Sequence, residues 1–177
     1  GQKQLKLPMF ELIYLSQYWQ LDSGHFTLHA SAVIHRGGIY LFSGPSGSGK
    51  STVAGISAGY GDEILDQDMV SVYHSEEGFN SANAWGYSIT TCSLPIRAFY
   101  YLVKDVRDDI KPLSKSHTAR LVWEQSAHIP GPALPQEKRN LLFSRTAEFS
   151  RSIPGYELHF RKSPDFWKLI DAEIPCE

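Results

Sequence analysis

Cysteine is scarce: Cys92 and Cys176 are the only two in the chain. They lie far apart and match no metal-ligand spacing, which excludes a disulfide framework, suggests no zinc site and makes a reducing cytoplasm the expected compartment. No apolar run approaches the roughly 20 residues that cross a bilayer, and Met9-Phe10-Glu11-Leu12-Ile13-Tyr14-Leu15 lacks the flanks of a secretory signal, so no membrane partner is expected. Charge of one sign is also lacking. With 17 Lys and Arg against 19 Asp and Glu, the net charge of -2 offers no electrostatic reason to expect nucleic acid. Internal repeats and low-complexity tracts are missing too.

What is present is globular. A hydrophobic share of 42% in 177 residues is enough for one core, so a single domain spanning residues 1–177 is expected. The opening Gly1 suggests processing or a missing upstream domain.

The chain is organised around Gly44-Pro45-Ser46-Gly47-Ser48-Gly49-Lys50-Ser51-Thr52, which fits the phosphate-loop pattern at every fixed position. Upstream, Ile39 to Ser43 is a short run of strand formers; downstream, Thr52 to Ala58 continues as a helix. Strand, loop and helix in that order bring backbone N–H groups and the positive end of a helix onto a polyphosphate. Gly44, Ser46, Gly47, Ser48, Gly49, Lys50, Ser51 and Thr52 are the expected nucleotide contacts. Lys50 is the point charge against the terminal phosphates, and the Ser51 hydroxyl is the expected Mg²⁺ contact ahead of Thr52.

Before the loop, Phe26, Leu28, Ala30, Ala32 and Ile34 alternate with Thr27, His29, Ser31 and Val33. A two-residue turn at Arg36-Gly37 sets Ile34 opposite Ile39, Ala32 opposite Leu41 and His29 opposite Gly44, bringing an imidazole to the loop. From spacing alone, His29 is a hydrogen-bonded histidine on a polar strand face. After the loop helix, Gly59 and Gly61 are stop signals, and Glu63 to Asp66 with Met69 to Tyr73 reads as a strand broken at Gln67-Asp68. Asp66 and Asp68 stand where metal ligands and hydroxyl-deprotonating bases are expected, or where turns are capped.

The remaining expectations are structural. Tyr18 to Leu21 extends a strand edge begun at residues 9–15, and His74 to Asn83 is a turn-rich loop over the nucleotide. Trp85 belongs to that loop or anchors the core. Leu94 to Val103 is a central strand, and Lys104 to Asp109 a solvated connection. Ser114 caps a helix to about Gln125, which Pro130-Gly131-Pro132 ends. Pro135 opens another whose Leu141, Leu142, Phe143, Ala147 and Phe149 face the core. Tyr156 to Phe160 is the last strand, and Ser163 caps a helix that buries Phe166, Trp167 and Ile170.

Leu28-His29-Ala30-Ser31-Ala32-Val33, the Gly44 to Thr52 loop, the acidic strand end at Asp66 to Asp68 and the tail Pro154-Gly155-Tyr156-Glu157-Leu158-His159-Phe160 together resemble the HPr kinase/phosphorylase family, in particular its smaller stand-alone relatives. The resemblance implies an α/β phosphoenolpyruvate-carboxykinase-like nucleotide fold with mixed β-sheets and flanking helices. It implies ATP with Mg²⁺, transfer to a serine of a protein or peptide, and a homo-oligomer. It also makes His29 an active-site residue supporting the transferred phosphate. Two departures stand out. The family has adjacent aspartates, whereas Asp66-Gln67-Asp68 puts Gln67 at the usual base position, and a glutamine cannot accept the hydroxyl proton. The arginine- and glycine-rich segment associated with phosphorylase action is not found, which favours kinase action alone.

The expected catalytic set is Asp66 or Asp68 as base with His29 and Lys50, and Ser51 with Asp68 at the metal. Two rivals stand beside the protein kinase: a small-molecule kinase acting on a sugar or amino-acid hydroxyl, and a nucleotide-binding sensor or assembly module without chemistry.

Overall fold

Arg36 and Gly37, with φ of 45° and 75°, form the tight turn of a hairpin between strands β1 (Phe26–His35) and β2 (Gly38–Ser43) in the computed structural model of the chain. The structure describes residues 15, 18–76, 78–83, 94–127 and 134–174. Both left-handed positions match the twist of the paired strands. The register follows: Ile34 opposes Ile39 and Ala32 opposes Leu41, and the ladder closes at Ala30 opposite Ser43, one step short of His29 and Gly44.

From β2 the chain enters helix α1 (Lys50–Tyr60), which Gly61 ends with its N–H on the Ala58 carbonyl. Gly59 lies inside that helix rather than at its end. Strands β3 (Glu63–Asp66) and β4 (Met69–Ser75) then pair with β1 on the side away from β2, β3 against Ala32 to Ile34 and β4 against Phe26 to His29. The predicted break at Gln67-Asp68 separates them. Strand β5 (Gly78–Asn83) pairs with β4 in an antiparallel hairpin, so the stretch expected as a loop over the nucleotide is an edge of the sheet as far as Asn83.

Strand β6 (Ile96–Lys104) runs parallel to β2. It is followed by β7 (Asp109–Pro112), helices α2 (Lys115–Ala127) and α3 (Gln136–Ser152), strand β8 (Gly155–Phe160) and helix α4 (Phe166–Glu173). The eight strands make one mixed sheet in the order β5-β4-β1-β2-β6-β8-β7, with β3 beside β1. The architecture is α/β, with helices flanking a mixed sheet.

The period-2 pattern divides the core into two layers. Phe26, Leu28, Ile39, Leu41 and Phe99 face α2 and α3, where Leu121, Val122, Leu142 and Phe149 cover them. Tyr40, Phe42, Tyr100, Leu158 and Phe160 face the other way, onto Val53 of α1 and Phe166, Trp167 and Ile170 of α4. Ser114 caps α2 as expected, its Oγ accepting the His117 N–H at 3.2 Å.

Several expectations are corrected. Tyr18 to Leu21 is helical, because the His25 N–H returns to the Gln20 carbonyl at 2.8 Å and closes a helix end that buries Leu21. Phe143 is 59% exposed, turned about 100° around α3 from the buried Leu142. Helix α4 starts at Phe166, two residues later than expected, with Ser163 Oγ bound to Asp165 ahead of it. Trp85 and Pro130-Gly131-Pro132 lie outside the described residues.

Candidate functional site

The loop leaves β2 at Gly44 and turns into α1 through Gly49, whose φ of 114° is left-handed. A side chain there meets a second obstacle, because a Cβ on Gly49 would come within 2.6 Å of the Phe160 ring. Only glycine lets the loop lie this close to the end of β8. Lys50 opens the helix, is 7% exposed, and donates from Nζ to the carbonyls of Gly44 at 2.8 Å and Pro45 at 3.2 Å. Its ammonium is thereby folded back over the start of the loop. Burial pushes its pKa below the ordinary lysine value, and the negative charge of Asp68 partly opposes that.

On the other side of the hairpin, β1 holds the break between β3 and β4. The Ala30 N–H donates to the Asp68 carbonyl at 3.0 Å, and Ser31 Oγ donates to the Gln67 carbonyl at 2.9 Å. Asp66 Oδ1 accepts the N–H groups of Asp68 at 2.9 Å and Met69 at 3.1 Å, an Asx turn that shapes the break. The turn sends the Asp68 carboxylate outwards, 72% exposed, where its Oδ1 lies 3.1 Å from His29 Nε2. The His29 carbonyl accepts from Ser43 Oγ at 2.6 Å, tying the histidine to the last residue of β2.

These pieces meet in one cavity of about 300 Å³. Ser46, Gly47, Gly49, Lys50, Ser51 and Thr52 supply its loop wall, and His29 and Asp68 supply another. Gly44 and Ser48 stand behind the wall, the first as an acceptor for Lys50 and the second buried. Asp66 does not line it; its Oδ1 serves the turn. Lys104, at the end of β6, does line it. Sequence reasoning assigned Lys104 to a solvated connection. The available signal was its place at the carboxyl end of a strand beside the loop strand, where open α/β sheets bind ligands. A larger hollow of about 580 Å³ between α2 and α3, over Trp123 and Phe143, has no comparable carboxylate–histidine pair among the described residues that line it.

The residues present fit a phosphate group and a hard cation. Ser48 Oγ is buried without a hydrogen-bond partner among the described residues, an orphan beside a loop of backbone N–H groups. The Ser51 hydroxyl and the Asp68 carboxylate are oxygen donors on the cavity wall. Among the described residues no three of His, Cys, Asp or Glu are grouped to cage a metal. A divalent ion would draw its other oxygens from phosphate and water, as Mg²⁺ does.

No curated protein matches the chain. The family model that does match is described as SynChlorMet cassette protein ScmC and covers residues 2–174, so the chain belongs to the ScmC family.

Proposed function

We propose that this protein is an ATP-dependent kinase of the HPr-kinase-like, phosphoenolpyruvate-carboxykinase-like type, which uses Mg²⁺ and transfers the γ-phosphate to a serine hydroxyl of a protein or peptide. The observation that carries this reading is the single cavity in which the phosphate loop and Lys50 meet the Asp68–His29 pair. Asp68 is the one carboxylate among the described residues lining that cavity, so proton acceptance falls to it. The acceptor oxygen attacks the γ-phosphorus, the bond to the β-phosphate oxygen breaks, and the hydroxyl proton passes to the Asp68 carboxylate, leaving ADP. His29 orients that carboxylate. Lys50 and the loop N–H groups stabilise the charge that develops on the phosphoryl oxygens. Ser51 is the residue that holds Mg²⁺, which when bound neutralises charge on the phosphates. The exposure of Asp68 favours an acceptor presented by a macromolecule over one enclosed in a deep pocket.

The test is incubation with labelled ATP and a panel of serine peptides and small hydroxyl compounds. Label is expected on peptide serine. Asp68→Asn is expected to slow transfer about 10²- to 10⁴-fold with nucleotide still bound, and Lys50→Ala to abolish transfer. A calorimetric titration with no heat for either Mg-ATP or Mg-GTP sinks the reading. A second reading, a nucleotide sensor without chemistry, is favoured by Gln67 at the usual base position; nucleotide retained with no acceptor labelled would select it.

A further inference from the structure

Two lysines line the cavity, and they are placed very differently. Lys50 is folded onto two carbonyls, whereas the Lys104 side chain has no hydrogen bond or ion pair with any described residue. Its backbone is nonetheless fixed. Lys104 opposes Phe160 in the β6–β8 ladder, and the next N–H, of Asp105, donates to the Phe160 carbonyl at 3.2 Å. The Phe160 ring is the one that rests under Gly49. The strand end and the loop are therefore packed against each other, and the Lys104 side chain starts beside them. Since β1 and β6 flank β2, Asp68 and Lys104 stand on opposite sides of the loop. The cavity is small enough for a four-carbon stem to span. Lys50 and Lys104 against the single Asp68 carboxylate leave positive charge in excess, which a polyphosphate balances.

We propose that Lys104 grips the terminal phosphate of a bound nucleoside triphosphate and so makes the site distinguish triphosphate from diphosphate. The inference rests on the nucleotide-binding reading above. A lysine suits the task because its ammonium is a compact charge on a flexible stem, free to follow a phosphoryl group towards an acceptor.

Titration calorimetry of the full chain with Mg²⁺ and either ADP or the β,γ-imido analogue of ATP tests it. Lys104→Met is expected to weaken the triphosphate analogue about 10- to 100-fold, the size of a lost charge-assisted hydrogen bond, and to leave ADP within about twofold. Lys104→Arg, which keeps the cation, should recover most of the loss. Equal weakening of both nucleotides, or no change in either, overturns the assignment while leaving nucleotide binding intact. A wild-type protein that binds neither nucleotide overturns the underlying reading and this inference with it. Lys104 is exposed, so the variant is expected to melt with the wild type, and a thermal scan checks that any loss is local.

Discussion

Asp66 commits its Oδ1 to two backbone N–H groups and so closes the turn between β3 and β4, while Asp68, two residues on, presents an exposed carboxylate to His29. Neutral substitutions should therefore separate the two. Asp66→Ala removes the acceptor for both N–H groups and is expected to cost about 1–2 kcal/mol, read as a lower urea midpoint. Asp68→Asn should change stability by under about 0.5 kcal/mol and leave that midpoint almost in place, since it alters an exposed group. The reverse ranking would mean that the turn does not depend on Asp66. Residue types and spacing announced both aspartates as candidates. They were not enough to choose between them, because the choice lies in which way a turn held by β1 aims each side chain.

At the scale of elements, the ends of β6, β7 and β8 converge on His159. Its Nε2 lies 2.6 Å from Glu157 Oε1, its Nδ1 lies 2.9 Å from Asp105 Oδ2, and Lys111 Nζ on β7 is 3.3 Å away. The hydrogen bond to Glu157, then that to Asp105, raises the histidine pKa above its ordinary 6.5, opposed by partial burial and then by the charge of Lys111. A group with a raised folded pKa contributes stability that is complete below the unfolded value and is lost as pH rises through the folded one. His159→Gln should therefore lower the melting temperature most below the ordinary histidine pKa of 6.5, with the gap to wild type narrowing as pH rises above it. A gap that stays constant across that range would rule out protonation as its source. Local signals served the elements well where capping and turn chemistry decide. Ser114 starts α2, Gly61 ends α1, and Arg36-Gly37 sets the hairpin register. They failed at Tyr18 to Leu21 and at β7, where the outcome turns on burial of Leu21 and on pairing with β8.

The molecule as a whole is held by aromatic layers across the sheet. Tyr100 stacks between Phe42 and Tyr156, both at 5.4 Å between ring centroids, and its hydroxyl is buried with no partner among the described residues. Burial drives the pKa of that phenol far above the usual tyrosine value, so the group stays neutral. Tyr100→Phe keeps the stacked ring and removes the orphan hydroxyl. It is expected to leave stability unchanged or raise it by about 1 kcal/mol in urea unfolding, and a loss of that size would show the hydroxyl to be satisfied. On the same face, buried His35 lies 2.6 Å from Asp62 and 3.0 Å from Asp171 and stacks on Trp167, whose Nε1 donates to Ser57 of α1. The helix that begins at the phosphate loop is thus tied to the carboxy-terminal helix and the sheet.

The order of residues alone settled what depends on near neighbours: a glycine-rich loop between a strand and a helix, a two-residue turn with its register, and strands whose alternation builds a two-sided core. These follow from backbone conformation and side-chain period, which act within a few positions. Only the tertiary structure decided that Asp68 rather than Asp66 lines the cavity, that His29 meets it, and that Lys104 closes the other side. Those residues come from strands separated in sequence and brought together by pairing on both edges of the hairpin, a long-range outcome of burial and hydrogen-bond register that no local spacing encodes.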